Sequence, residues 1–125
     1  MKEKNQYKLN KEDTKIIELF SDLGMPRNIA KTLVYISRVD ECRSDDIEEG
    51  TNLRQPEVSI AVRELARRGW TGTREQKKKG KGRPIHLYKL STDLTDIVKN
   101  FEKEKMIEIQ EIKNNLSSLE SLLEE

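Results

Sequence analysis

The sequence has very few of the residues on which metal sites and most enzymes depend. It contains one cysteine, Cys42, and one histidine, His86, which excludes a disulfide framework and a cysteine- or histidine-rich metal site. It shows no pairing of a nucleophile with a base, and no glycine-rich phosphate loop of the GxxxxGK[ST] type. We therefore expect no enzymatic activity, no cofactor and no metal.

Long apolar runs are also missing. No stretch of 18 apolar residues is present, so we expect no membrane span. The first 15 residues have no apolar run of the kind that a secretory signal needs, and we therefore expect a cytoplasmic protein. Apolar residues make up only 34% of the chain and charged residues 38%, so part of the chain is expected to lie outside a compact core.

Charge is unevenly distributed, although the net charge is only +1. Residues 54–92 hold eleven basic and three acidic residues, which gives +8, whereas residues 40–53 and 93–125 each carry −5. A basic segment of this kind is typical of a protein that binds a polyanion. The alternative is a charged surface without a particular target.

Apolar spacing predicts four short helices, a hairpin and a long helix. Capping residues and glycines set the expected ends of these elements. The expected elements are a helix from Asn10 or Asp13 to Gly24, a second from Pro26 to Arg38, a third from its N-cap Ser44 to Gly50, a fourth from Gln55 to Arg68, strands over 70–76 and 85–90, and a long helix from Asp93 to about Leu123.

The third and fourth helices, joined by a turn after Gly50, have the form of a helix-turn-helix. The segments SDDIEEGTNLRQPEVSIAVRELARRGW and GRPIHLYKLS resemble the winged-helix DNA-binding domains of bacterial and archaeal transcription regulators of the MarR and TrmB types. The resemblance covers about Ile17 to Ser91. It implies a mainly α fold with a small β-hairpin wing. Together with the polar first residues and the long last helix, it predicts a flexible arm (1–10), a winged-helix domain (11–92) and a coiled-coil dimerisation helix (93–125).

The fourth helix is the candidate reading helix. An α-helix fits the DNA major groove, where Arg pairs with guanine and Gln with adenine. The alternative is an ordinary amphipathic helix with a solvated face, which Glu57 favours because an acid beside phosphate is unfavourable. The residues predicted to contact DNA are Arg54, Gln55, Glu57, Ser59, Ile60 and Arg63.

The loop between the two strands is the candidate wing tip. Gly80 and Gly82 allow its backbone to approach a phosphate ridge closely. Its lysines are expected to contact phosphates, and its arginine to enter a narrow minor groove. A solvated loop is the alternative. The predicted wing residues are Lys77, Lys78, Lys79, Lys81 and Arg83.

The last helix carries an apolar heptad seam with spacings of 3, 4, 3 and 4. This pattern predicts a coiled-coil homodimer, parallel or antiparallel, and hence a pseudo-palindromic DNA site. The alternative is a tail that packs on its own domain. The predicted dimerisation residues are Ile109, Ile112, Leu116, Leu119 and Leu123.

The sequence as a whole predicts a sequence-specific regulator of transcription that binds double-stranded DNA as a homodimer. A winged-helix module that binds proteins and a non-specific DNA-binding protein are the alternatives. No pattern specifies a small-molecule effector.

The remaining distinctive residues are not expected to take part in binding. Acidic neighbours are expected to raise the pKa of Cys42 and disfavour redox sensing. Trp70, Tyr88 and Leu90 are expected in the core, and His86 is expected outside any metal site.

Overall fold

The computed structural model describes residues 7–76, 82 and 84–124. They form two compact units, one ending at Asp93 and the other beginning at Leu94. Within the described part of the chain, no helix is long and apolar enough to cross a membrane. The predicted architecture, mainly α with one hairpin and a long last helix, is confirmed. The elements are α1 (Lys11–Asp22), α2 (Arg27–Arg38), α3 (Ser44–Thr51), α4 (Gln55–Arg67), β1 (Thr71–Gln76), β2 (Ile85–Leu90) and α5 (Leu94–Leu123).

The two candidate caps of α1 act together. The Asn10 side chain accepts a hydrogen bond from the Asp13 N–H at 2.9 Å, and the Asp13 carboxylate accepts one from the Asn10 N–H at 3.1 Å. Asp13 is fully buried and also accepts from the Tyr7 hydroxyl and from Arg38 Nε, the latter at 2.8 Å. This carboxylate therefore joins the segment before α1 to the end of α2.

The start of α3 differs from the prediction. Ser44 is the first helical residue rather than the N-cap. The preceding Arg43 occupies the cap position, where its N–H donates to Asp46 Oδ2 at 2.9 Å. The acid in the third helical position thus supplies the capping interaction that the sequence pattern assigns to a serine.

The end of α3 also differs from the prediction, because the helix passes through Gly50 to Thr51. Asn52 then adopts the left-handed conformation, with φ of 65°. Gly50 is needed for close packing: a Cβ there would lie 2.1 Å from Tyr35 Cε1 and 2.8 Å from the Tyr7 carbonyl oxygen. The glycine therefore lets α3 approach the aromatic ring of α2 and does not end the helix.

Helix α2 lies at the centre of the first unit. Leu33, Val34, Tyr35 and Ile36 are all fully buried, and α2 contacts α1, α3, α4 and β2. Helix α4 contributes one buried face to this core, whereas Ala66, which apolar spacing places on that face, is exposed. The buried residues of α4 are Val58, Ala61, Val62 and Leu65.

Strands β1 and β2 pair in antiparallel register, with Thr71 opposite Leu90. The connector before α3 adds a short third member, because Cys42 exchanges both backbone hydrogen bonds with Tyr88, at 3.0 and 2.8 Å. Tyr88 and Leu90, which were predicted in the core, are only half-buried, and Leu87 is the buried residue of β2. Side chains alternate between the two faces of a strand, so Leu87 lies on the opposite face from Tyr88 and Leu90.

Trp70 is buried, as predicted. It lies between α4 and β1, and its carbonyl oxygen accepts a hydrogen bond from the Ser91 N–H at 2.9 Å. The Arg68 guanidinium carbon lies 4.8 Å from the centre of its ring. The backbone and the ring of Trp70 therefore join the base of the hairpin to the end of α4.

Helix α5 has 30 residues, which corresponds to roughly 45 Å. Its buried residues are Ile97 and Phe101. Beyond Lys105 its large apolar residues are exposed, and they include the predicted seam. The exposed fractions along the seam are 44% for Ile109, 58% for Ile112, 55% for Leu116, 54% for Leu119 and 77% for Leu123.

Candidate nucleic-acid interface

The outward face of α4 follows from the position of its buried face. With 3.6 residues per turn, the side chains opposite the buried ones are Pro56, Ile60, Arg63 and Arg67. Each is exposed, and Ile60 is exposed to 61%. Two of these residues, Pro56 and Arg67, were not among the predicted contacts. Helical geometry alone would have found them once the core face was known.

The predicted reading residues lie at the beginning and on one side of this face. Arg54 and Gln55 are exposed at the N-terminus of α4, and Ser59 is half-buried one turn later. Arg63 Nη2 donates to Ser59 Oγ at 3.3 Å, so the arginine and the serine form one polar pair. These four side chains offer hydrogen-bond donors and acceptors along about two turns of helix.

Glu57 has its partners inside the domain. Its carboxylate accepts from the Arg54 N–H at 2.9 Å and from Asn28 Nδ2 at 3.3 Å. The first bond caps the N-terminus of α4, and the second ties α4 to the start of α2. An acid at the third helical position is a recognised capping signal, and this signal explains the presence of Glu57 at the start of the candidate reading helix.

The end of α4 carries two arginines that share one acid. Arg67 Nε donates to Glu64 at 2.9 Å, and Arg68 Nε donates to the same carboxylate at 3.0 Å. The hydrogen bonds from Arg67 and then Arg68 lower the pKa of Glu64 to about 2. The glutamate is therefore ionised at neutral pH, and this end of the helix has a net charge of +1.

The hairpin strands lead towards the cationic loop. Lys77, Lys78, Lys79, Lys81 and Arg83 themselves lie outside the described residues. Gly82 has φ of 145°, a conformation that glycine adopts readily. The middle of β1 is tied to the connector before α3, because Arg74 Nε and Nη2 donate to Glu41 at 2.6 and 2.7 Å.

Comparison with known proteins identifies the fold. No protein-family model matches the sequence, and no curated protein sequence is similar to it. Among solved structures, it is similar to the archaeal chromatin protein TrmBL2, with a TM-score of 0.67 and 16% identity over 90% of this chain and 42% of that one. The chain therefore spans less than half the length of TrmBL2.

Two further structures match most of their own length. A possible transcriptional regulator from Methanosarcina mazei Go1 has a TM-score of 0.61 and 13% identity over 90% of this chain and 89% of that one. The multiple antibiotic resistance repressor MarR has a TM-score of 0.53 and 20% identity over 91% and 86%. The chain has the winged helix-turn-helix fold. Within this fold, α3 and α4 are the helix-turn-helix, and the β1–β2 hairpin is the wing.

A cavity of about 370 Å³ lies between the helix-turn-helix and the wing. It places the start of α3, the reading side of α4 and the exposed His86 of β2 around one space. The lining is mixed, because apolar side chains of α4 and of the start of β2 lie beside hydrogen-bonding side chains. Its polar lining includes Arg43, Ser44, Asp45, Gln55, Ser59 and His86.

The single cysteine lies behind the wing and is only 1% exposed. Its Sγ donates to the Tyr88 carbonyl oxygen at 3.7 Å. Burial, with smaller effects from Asp46 and Glu41, raises the pKa of the Cys42 thiol to about 12. Sequence reasoning named only the acidic neighbours, whereas burial is the larger cause. A protonated, buried thiol reacts slowly with oxidants.

Across residues 7–76, 82 and 84–124, no group of His, Cys, Asp or Glu side chains is arranged to hold a metal ion.

Proposed function

We propose that this chain is a transcription regulator that binds double-stranded DNA, with α4 in the major groove and the wing along the backbone. The observation that carries the proposal is the exposed surface of α4. Arg54 and Gln55 are exposed at its N-terminus and Arg63 on its outward face, and the neighbouring hairpin has a loop sequence with five cations in seven residues. Major-groove reading by a helix and phosphate binding by a cationic loop require this arrangement.

The structural neighbours support the same proposal. TrmBL2 is a chromatin protein described as having a novel mode of DNA binding, and MarR is a repressor. The basic segment of residues 54–92 coincides with α4 and the wing, whereas both acidic segments lie outside them. The positive charge is concentrated on the hairpin and at the two ends of α4, where Arg54, Arg67 and Arg68 lie.

The side chains divide into readers and anchors. We assign base contacts to Arg54 and Gln55, whose chemistry matches guanine and adenine, and to the Ser59–Arg63 pair one to two turns later. Glu57 holds the start of the helix and does not contact a base. The wing lysines Lys77, Lys78, Lys79 and Lys81 neutralise phosphates, and Arg83 enters the minor groove.

The proposed active form is a homodimer joined through α5. The seam from Ile109 to Leu123 is exposed in the single chain and has heptad spacing. A second copy is a suitable partner because it offers the same seam and buries both apolar faces at once. A two-fold dimer presents two reading helices and favours half-sites about 10 bp apart or a multiple of that distance.

Selection from random duplex DNA tests the DNA proposal. The full-length chain is immobilised, and bound duplexes are amplified at moderate salt over several rounds. An enriched motif with two-fold symmetry supports a sequence-specific dimer. Retention of all sequences without enrichment indicates a non-specific binder, and failure to retain any duplex contradicts the proposal.

Sedimentation of the intact chain tests the dimer. We expect the double change Leu116→Asp with Leu119→Asp to convert a dimer into a monomer, because two charges enter the seam. The matched control is Ser117→Asp with Ser118→Asp, which adds the same charge to the same turn outside the seam and should leave the dimer intact. If both variants sediment as the same species, the proposal that the seam joins the dimer is wrong.

A further inference from the structure

One residue on the outward face of α4 does not fit a purely polar reading helix. Ile60 is exposed to 61%, and the first unit exposes only two other large apolar side chains among its described residues, Leu19 and Leu23 of the α1 region. Pro56, which lies one turn before Ile60 on the same face, is also exposed. The centre of the proposed DNA-reading surface is therefore apolar.

We propose that Ile60, together with Pro56, packs against the 5-methyl groups of thymine in the major groove and makes α4 selective for thymine there. This inference rests on the proposed DNA-binding function. Base edges in the major groove carry donors, acceptors and one apolar group, the thymine methyl. An exposed aliphatic side chain that faces base edges has that methyl as its matching partner.

The spacing of the two residues suits this contact. Four residues of α-helix rise about 6 Å, and stacked bases along one strand are about 3.4 Å apart. Side chains at positions 56 and 60 therefore reach bases within about two steps of each other. Arg63, held by its bond to Ser59, lies one turn beyond, so the methyl contact is flanked by a cation.

The surroundings of Ile60 favour DNA over a protein partner. A groove of about 590 Å³ runs beside it between the start of α2 and α4, where Pro26 and Ile29 add apolar surface. The same groove is lined by Arg63, Arg67 and Arg68 with Glu64 as their single acid. A protein segment that docked on Ile60 would bury these charges, whereas DNA places phosphates beside them.

Replacement of thymine by deoxyuridine in the selected duplex removes only the methyl group and keeps base pairing. We expect the wild-type chain to lose about fourfold in affinity for each contacted methyl group, the amount that corresponds to burial of one methylene. This loss should occur at one or two positions per half-site and at no others. With Ile60→Ala, thymine and deoxyuridine should bind equally at the position that Ile60 contacts, whereas a position contacted by Pro56 keeps its preference.

Leu19→Ala is the matched control, because it truncates an equally exposed aliphatic side chain on α1 and should leave the methyl dependence unchanged. Thermal melting of both variants checks that they fold. A selected duplex that shows no sensitive thymine, or one in which every sensitive thymine stays equally sensitive with Ile60→Ala, would overturn this inference while the proposed function stands. Docking of a protein on Ile60 predicts unchanged DNA affinity in the Ala variant, which equally overturns it. If no duplex is retained at all, the proposed function fails and this inference fails with it; retention of all duplexes without enrichment overturns this inference alone.

Discussion

Arg74 and Glu41 form a bidentate ion pair across 33 residues of chain, with nitrogen–oxygen distances of 2.6 and 2.7 Å. The adjacent Cys42 holds Tyr88 of β2 through two backbone hydrogen bonds. Glu41 thus holds β1 through its side chain, and Cys42 holds β2 through its backbone. The connector before α3 therefore sets the angle of the wing relative to the helix-turn-helix.

We predict that Glu41→Gln weakens DNA binding by about two- to fivefold, the range of an exposed ion pair. Removal of an acid makes the chain more positive and by itself would strengthen binding to a polyanion. A loss of affinity therefore reports the positioning of the wing and not its charge. Glu75→Gln on β1 is the control, because it removes the same charge without touching the pair, and it should strengthen binding slightly. Fluorescence anisotropy measures both; tighter binding by the Glu41 variant would contradict the positioning role.

The wing lysines are predicted to supply affinity without sequence preference. Replacement of Lys77, Lys78, Lys79 and Lys81 by Ala should weaken binding to every duplex. It should also flatten the plot of log affinity against log salt by about 0.9 for each phosphate that the variant no longer neutralises.

A control for the wing replaces four lysines of α5, which removes the same charge elsewhere. Its residues are Lys99, Lys103, Lys105 and Lys113. We expect a much smaller change of slope in this variant. Equal slopes in the wild type and the wing variant would show that the wing does not contact phosphate.

Gly50→Ala is predicted to destabilise the fold by about 1–3 kcal/mol, as expected for overpacking of a rigid core. The new methyl group would overlap the Tyr35 ring and the Tyr7 carbonyl oxygen. Gly72→Ala serves as the control, because a Cβ there lies 3.6 Å from Ser91 Oγ, an ordinary contact. Urea unfolding of the two variants compares them directly. Similar unfolding midpoints would show that α2 and α3 can separate at little cost.

Asp13 is predicted to make stability depend on pH in the acid range. Burial alone would raise its pKa, but hydrogen bonds from Tyr7, Asn10 and Arg38 outweigh burial and hold the pKa below its ordinary value of 3.8. A carboxyl group whose pKa is lower in the folded state stabilises the fold above its unfolded pKa. That contribution disappears as the pH falls from about 4 through the folded value.

Asp13→Asn tests this assignment. We expect it to lower the free energy of unfolding at pH 7 by about 1–3 kcal/mol, because hydrogen bonds to a charged group are removed. It should also remove part of the decline below pH 4. Glu12→Gln, an exposed neighbour, should leave both quantities nearly unchanged. An identical pH profile for Asp13→Asn and the wild type would exclude the buried carboxylate as the cause.

The parts of the fold that depend on local pattern were predicted from the sequence. Helix α4 was recognised because Val58, Val62 and Leu65 recur at helical spacing, and the hairpin because turn residues separate two short strands. These signals arise within a few residues of each other. The exposed Arg54, Gln55 and Arg63 followed directly, because a buried face determines the face opposite to it.

The parts that depend on distant neighbours were not predicted. Gly50 was interpreted as a helix end, since nothing nearby in the sequence shows that the Tyr35 ring lies against it. For Glu57 the sequence suggests either a DNA contact or a solvated helix face, whereas its second partner, Asn28, is 29 residues away. The bridge between Cys42 and Tyr88 spans 46 residues, and no local sequence pattern indicates it. Long-range contacts of this kind become visible only when the elements are packed.

The bridge between Cys42 and Tyr88 also has a consequence for the order of assembly. A hairpin of two strands is marginal by itself in water, and this one gains its third member from a segment that is synthesised long before it. The β1–β2 ladder is therefore expected to become stable only after α2 and α3 have closed and brought Cys42 into place. Hydrogen exchange should then show the β1–β2 ladder opening whenever α3 detaches. The proposed binding of DNA would in that case depend on the integrity of α3, a helix to which no DNA contact is assigned.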